Sequence, residues 1–188
     1  MMNNKIIVVI AVIGVAAGIA ANQYFSKNAS VDKTTSSSKT TPLKKASTTK
    51  SNFRPNYTLK DLDDKTRSAK EWDGKVVILN FWATWCPPCR REMPAFIEFQ
   101  EAYAKKDVVF VGIALDEKNA VIDFTDPIGI NYPILLAEEE GIQISQDYGN
   151  RLNTLPFTVI IDRKGNITKR FAREVSYEDL KSAVTPIL

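Results

Sequence analysis

Apolar residues are distributed along the 188-residue chain in three regimes. Ile6 to Ala21 is an unbroken run of Ile, Val, Ala and Gly. From Ser26 to Asn52 large apolar side chains almost vanish. From Phe53 onward short apolar runs alternate with polar turns, the pattern of a folded domain. Val76 to Trp82 is apolar at successive positions except Asn80, which predicts a strand covered on both faces. Arg90 to Lys106 carries Phe96, Phe99 and Tyr103 at helical spacing, which predicts an amphipathic helix with those rings in the core. Val108 to Leu115 predicts a second buried strand. Asn119 to Thr125 predicts a helix stopped near Asp126-Pro127, Tyr132 to Leu136 a short strand, and Ile142 to Tyr148 a short helix ending at Gly149. Phe157 to Asp162 and Ile167 to Phe171 flank the turn Arg163-Lys164-Gly165-Asn166, as in an antiparallel hairpin. Ser176 to Val184 predicts a closing helix, with Ser176 as N-cap and Asp179 completing a capping box. Tyr57 to Leu59 and Thr66 to Ala69 form a further short hairpin at the start of the domain. Strands alternating with helices, followed by a hairpin and a helix, imply an α/β sandwich on a mixed sheet.

The first two regimes predict an address and a tether. The apolar run of 16 residues lies between the length of a signal h-region and that of a spanning helix, about 20 residues. Residues 1–25 are read as an uncleaved signal-anchor, with a cleaved export signal as the alternative. Residues 26–52, rich in Ser, Thr and Lys, cannot bury enough surface to fold. They predict a disordered tether with a root-mean-square span of about 28 Å. Residues 53–188 form the domain. Lys27 and Lys33 beyond the run favour a cytoplasmic domain by the positive-inside rule. A short basic start and a dithiol, which is most useful where disulfides persist, favour the opposite face. The expectation is a single-pass inner-membrane protein with its domain on the periplasmic, extracytoplasmic side, or a soluble periplasmic protein if the segment is cleaved.

Both cysteines of the chain stand in one motif, Cys86-Pro87-Pro88-Cys89, between the strand ending at Trp82 and the following helix. The attacking species in disulfide exchange is the thiolate, and a helix N-terminus favours negative charge through its unpaired N–H groups. Cys86 is therefore the candidate attacking thiol. Cys89, three residues on and on the same helical face, can reach it and resolve a mixed disulfide. Pro87 suits the first helical turn because the N–H it lacks would have no partner there. Glu92, a further three residues on, shares the face of Cys89. If buried, it is a candidate base for the Cys89 thiol; if solvated, it is an ordinary helix glutamate.

Composition removes the competing chemistries. Two Cys and no His cannot build a self-contained zinc site. The net charge is +3, but Lys5 and the six lysines of residues 22–52 against Asp32 contribute +6, so residues 53–188 carry −3. The basic character belongs to the low-complexity stretch, and no basic face for nucleic acid is present. No cofactor and no metal site are expected. Thr84 stands two residues before Cys86 rather than three, so the Thr-x-x-Cys setting of a peroxidase is missing.

The run Phe81-Trp82-Ala83-Thr84-Trp85-Cys86-Pro87-Pro88-Cys89-Arg90-Arg91-Glu92-Met93-Pro94 resembles the active-site motif of the thioredoxin superfamily, and within it the TlpA/ResA branch of membrane-tethered thiol-disulfide oxidoreductases. The resemblance covers about residues 53–188 and continues in Gly112 to Asp116 and Thr154 to Asp162. It implies a thioredoxin-like fold, with an N-terminal β-hairpin and a central insertion within Ile113 to Ile144. It implies a cis Leu155-Pro156 bond beside Cys86, substrate pairing along the backbone of Leu155, and a role for Glu92 near the buried cysteine. Trp85 and Pro87 would complete the docking surface, and Trp82 would pack in the core. Asn80 stands where thioredoxin has a buried aspartate; an amide cannot take a proton, so Glu92 becomes the better candidate. The activity implied is a disulfide reductase of exported proteins, with apocytochrome c among the substrate classes and a membrane dithiol as electron donor. A disulfide-donating oxidase and a binding module without turnover are the alternatives.

Overall fold

In the computed structural model, residues 52–188 are described, so the expectations for residues 1–51 lie outside the described residues. Seven strands form one mixed sheet in the order β2-β1-β5-β4-β3-β6-β7. They are β1 (Thr58–Asp61), β2 (Thr66–Ser68), β3 (Val76–Trp82), β4 (Val108–Ala114), β5 (Ile134–Leu136), β6 (Phe157–Ile161) and β7 (Ile167–Phe171). The helices are α1 (Pro87–Tyr103), α2 (Lys118–Ile128), α3 (Glu140–Asp147) and α4 (Tyr177–Val184). Central β3 pairs in parallel with β4, from Val76↔Val108 to Trp82↔Ala114, and antiparallel with β6. All seven residues of β3 are buried. With apolar side chains on both faces, this strand is stable only between two covered layers.

The two faces carry separate cores. On one, Val76, Ile78, Trp82, Phe110 and Ile134 pack beneath Cys89, Met93, Phe96 and Phe99 of α1 and Leu180 and Val184 of α4. Phe96 stacks on Phe110 with centroids 4.5 Å apart, and Phe99 stacks on Tyr103 at 4.1 Å. On the other, Tyr57, Trp72, Leu79, Phe81, Tyr148 and Phe157 close the opposite layer. The Tyr148 hydroxyl donates to the Pro55 carbonyl at 2.7 Å, which ties the start of the domain to the end of α3.

Several element ends differ from the sequence pattern. Helix α1 begins at Pro87 rather than Arg90, because the prolines supply the first turn and Cys86 caps it. Helix α2 passes the predicted stop and includes Pro127. It ends at Ile128, where Gly129 takes the left-handed conformation at φ 66° that residues with a Cβ rarely adopt. Strand β5 starts only at Ile134, since Pro133 has no N–H to give a ladder. Glu138, Glu139 and Glu140 are exposed, as expected of a solvated turn, and Glu140 already opens α3. The capping box of α4 forms as the sequence predicts: the Ser176 hydroxyl accepts from the Asp179 N–H, and the Asp179 carboxylate accepts from the Ser176 N–H.

Candidate active site

The loop from Ala83 to Cys86 leaves the carboxyl end of β3 and enters α1, where its placement follows from a few hydrogen bonds. Asp116, just past β4, accepts from the Thr84 N–H at 3.0 Å and from the Thr84 hydroxyl. The Leu115 N–H donates to the Trp82 carbonyl at 2.8 Å, and the Cys86 N–H to the Ala83 carbonyl at 3.2 Å. The turn is thus pinned to the neighbouring parallel strand before the helix starts. No periodicity marked Asp116; its signal in the sequence was its place at the end of the Gly112 to Asp116 stretch, and only the fold shows that it holds Thr84.

Cys86 is the N-cap of α1, and its sulfur accepts from the Cys89 N–H at 3.3 Å. An N-cap oxygen normally fills that position. A thiolate there gains the same donor and the positive end of the helix dipole. Cys86 and Cys89 are joined in a disulfide with Cα atoms 5.3 Å apart. Cys89 is fully buried; Cys86 is 4% exposed and lies in the floor of a groove of about 370 Å³. Trp85, Pro87, Leu115, Ile142 and Leu155 line that groove. Trp85 is 66% exposed, whereas Trp82 is buried. The Leu155–Pro156 peptide is cis, and Pro156 itself is buried. Cys86, Trp85, Pro87 and Leu155 therefore share one surface, with Cys89 beneath it.

Glu92 is 2% exposed, so it is not a solvated helix glutamate. One carboxyl oxygen accepts from the Asn80 side-chain N–H at 2.9 Å, the other from the Val175 backbone N–H at 2.9 Å. Asn80 also donates to the Thr158 hydroxyl at 3.0 Å, so this buried amide is held by bonds to α1 and β6. Burial pushes the Glu92 carboxyl up from 4.5 to about 8; the bonds from Val175 and Asn80 oppose that rise, and the Glu174 charge adds to it. Arg91 bridges to Glu174 at 2.6 Å, so α1 holds the segment before α4 at two adjacent positions. Thr158 and Val175 escaped the sequence reading. Thr158 looked like an ordinary β-branched strand residue, and a backbone N–H from a distant loop leaves no sequence signal.

Proton exchange between a buried thiol and a buried carboxyl near neutral pH is the chemistry this arrangement permits. Among the described residues no cluster of three or more Cys, His, Asp or Glu is placed to hold a metal ion, and no helix is long and apolar enough to cross a membrane.

Known proteins share this organisation. The Redoxin family matches residues 48–186. The thiol-disulfide oxidoreductase ResA of Bacillus anthracis is 34% identical over 134 residues, 71% of this chain and 75% of that protein. The thioredoxin-like protein YneN of Bacillus subtilis is 42% identical over 116 residues, 60% of this chain and 65% of that protein. A solved thiol:disulfide interchange protein of the thioredoxin family from Chlorobium tepidum superposes with a TM-score of 0.66 at 31% identity, over 72% of this chain and 94% of that one. With the sheet, the capped cysteine and these relatives together, the chain belongs to the Redoxin family as a TlpA/ResA-like thiol-disulfide oxidoreductase of the thioredoxin superfamily.

Proposed function

We propose that this enzyme reduces disulfides of exported proteins, with Cys86 attacking, Cys89 resolving and Glu92 exchanging the proton of Cys89. The observation that carries this reading is the pairing of a capped, groove-facing Cys86 with a fully buried Cys89 and a buried carboxyl three residues further along the same helix. The Cys86 thiolate attacks one sulfur of the substrate disulfide, and the other leaves as a thiolate. Cys89 then gives its proton to the Glu92 carboxylate and attacks the Cys86 sulfur. The Cys86–Cys89 bond forms, and the substrate departs as its second thiol. Recharging runs in the opposite sense. A donor thiolate attacks Cys86, Cys89 leaves and takes the proton back from the neutral Glu92 carboxyl, and the donor's second thiolate then displaces Cys86 as the donor departs as its disulfide. A carboxyl poised near pH 8 can serve both directions.

Trp85, Pro87 and Leu155 form the docking surface for an extended substrate segment in this reading, with strand-like pairing along Leu155, and the buried Pro156 contributes through its cis bond to Leu155. Apocytochrome c cysteines are the substrate class implied by the family likeness, and a membrane dithiol protein is the donor. Residues 1–25 anchor the protein with its domain on the periplasmic face; a cleaved segment would leave it soluble there. A reporter fused after Leu188 tests the side of the membrane.

The test of function is a Cys89→Ala variant in intact cells, with the parent's redox potential measured against glutathione. Mixed disulfides on Cys86 and a clearly reducing potential are expected. A potential near that of the strong oxidants would make the enzyme a disulfide donor, and the absence of any trapped partner would leave a binding module.

A further inference from the structure

The loop between α3 and β6 carries Leu155, and one side chain that the redox chemistry does not use holds its base. Asn150 is 2% exposed although it sits in a loop. Its Oδ1 accepts from the Thr154 N–H at 3.1 Å, and its Nδ2 donates to the Thr154 carbonyl at 2.9 Å. The Thr154 hydroxyl also donates to Oδ1 at 3.4 Å. A single amide thus takes both backbone groups of one residue, as a facing residue does in an antiparallel ladder. Asn150 is itself fixed to α3. Its N–H donates to the Ser145 carbonyl at 2.9 Å, and its Nδ2 stands 3.5 Å from the Ser145 hydroxyl, which donates to the Ile142 carbonyl at 2.9 Å. The residues between, Arg151, Leu152 and Asn153, are exposed, and Asn153 takes the left-handed conformation at φ 52°. Their one side-chain tie to α3 is an exposed bond from Gln146 to Asn153 at 2.9 Å.

The residues on either side of Thr154 face the dithiol. Asn153 and Leu155 both line the groove that holds Cys86, Trp85 and Ile142. Thr154 has its N–H and carbonyl spent on Asn150, and Pro156 has no N–H. Among the described residues the N–H and carbonyl of Leu155 bond to nothing, so they are the pair this loop leaves open to a strand-like substrate. We propose that Asn150 is a positioning residue for substrate docking: by clamping Thr154 to α3 it fixes the direction of the Leu155 N–H and carbonyl before a substrate arrives. This rests on the substrate pairing along Leu155 proposed above.

A loop free to sample several conformations must be ordered when its partner binds, and that cost is subtracted from affinity. Asn150 orders the loop at folding instead, through buried hydrogen bonds. An amide is the group that can do so, since it offers an acceptor and a donor side by side. Aspartate would lack the donor for the Thr154 carbonyl and would bring a charge into a buried place. Asn150 does not line the groove and bonds to neither cysteine. Its loss therefore acts on docking and leaves the exchange between Cys86 and Cys89 alone.

The test compares the parent with Asn150→Ala, both as the full chain, on three substrates. One is a peptide disulfide. The second is the same peptide N-methylated at the residues flanking its reacting cysteine. The third is hydroxyethyl disulfide, which has no peptide backbone. The parent is expected to favour the unmethylated peptide by about tenfold in kcat/KM, the worth of one or two backbone hydrogen bonds. Asn150→Ala is expected to lose most of that preference through a raised KM, with kcat and the rate on hydroxyethyl disulfide within about twofold of the parent. If the parent prefers the unmethylated peptide and Asn150→Ala keeps the whole preference, the Asn150 inference is wrong and pairing along Leu155 stands. If the parent shows no preference, the pairing itself fails and takes this inference with it. An equal loss of rate on hydroxyethyl disulfide would place the damage at the dithiol and overturn the docking role. Asn150→Asp, which keeps an acceptor for the Thr154 N–H, carries the same comparison should the Ala variant not fold, and its preference is expected to be reduced but not lost.

Discussion

Replacing Glu92 with Gln should convert a pH-dependent fold into one almost indifferent to pH between 5 and 8. Folded oxidised protein holds the Glu92 proton up to about pH 8, whereas the unfolded chain releases it near 4.5. Over that interval the native state binds one more proton than the unfolded state. Stability therefore falls as pH rises, by about 1.4 kcal/mol per pH unit, and is level on either side. Between pH 5 and pH 8 the loss is about 4 kcal/mol, a large part of the roughly 5–15 kcal/mol that holds a domain together. The chain has no histidine, so no other side chain of ordinary pKa titrates in this window. The lowered carboxyls of Asp61, Asp162 and Asp179 act in the opposite sense, losing their stabilising effect only as pH falls below the usual carboxylate range. Gln at 92 cannot ionise, but its –NH2 would face one of the two donors, Asn80 or Val175. That mismatch should cost about 1–2 kcal/mol at pH 5. Urea unfolding of both oxidised proteins from pH 5 to 9 should give two curves that cross, with the parent more stable in acid and the variant more stable in base. Parallel curves would refute the claim that Glu92 stays protonated at neutral pH in the folded protein.

Three other substitutions test the supports of the site. Ser176→Ala removes the hydroxyl half of the α4 capping box next to Val175, and should lower stability by about 1 kcal/mol in urea unfolding; no change would mean that Asp179 alone caps the helix. Trp85→Ala should alter stability by less than about 0.5 kcal/mol, because that side chain is mostly solvated. Its reaction with a peptide disulfide should nevertheless slow, and an equal rate would remove Trp85 from the docking surface. Gly112→Ala places a methyl 2.6 Å from Ile134 Cδ1 and 3.1 Å from Trp82 Nε1 and should cost about 1–3 kcal/mol by overpacking. An unshifted thermal midpoint would show that the space beside Asn80, its partner in β3, is looser than these distances imply.

The local chemistry was legible in the order of the residues. Consecutive apolar positions in Val76 to Trp82 require a strand covered on both sides, and the spacing of Cys86, Cys89 and Glu92 places all three along one helix whatever surrounds it. The Ser176 box needs only four consecutive residues. Element ends were less legible: a proline in a last turn withholds one hydrogen bond without ending the helix, so α2 ran on to Gly129. What the fold alone decided is the state of each group. Glu92 is a buried acid rather than a solvated one because Asn80 from β3 and Val175 from the far end of the chain close over it. Asp116 matters because parallel pairing of β4 with β3 brings it to Thr84. Spacing along a chain sets which side chains can meet within one element. Burial, and with it the free energy of holding a charge or a proton, is set by segments distant in sequence and exists only once they have packed.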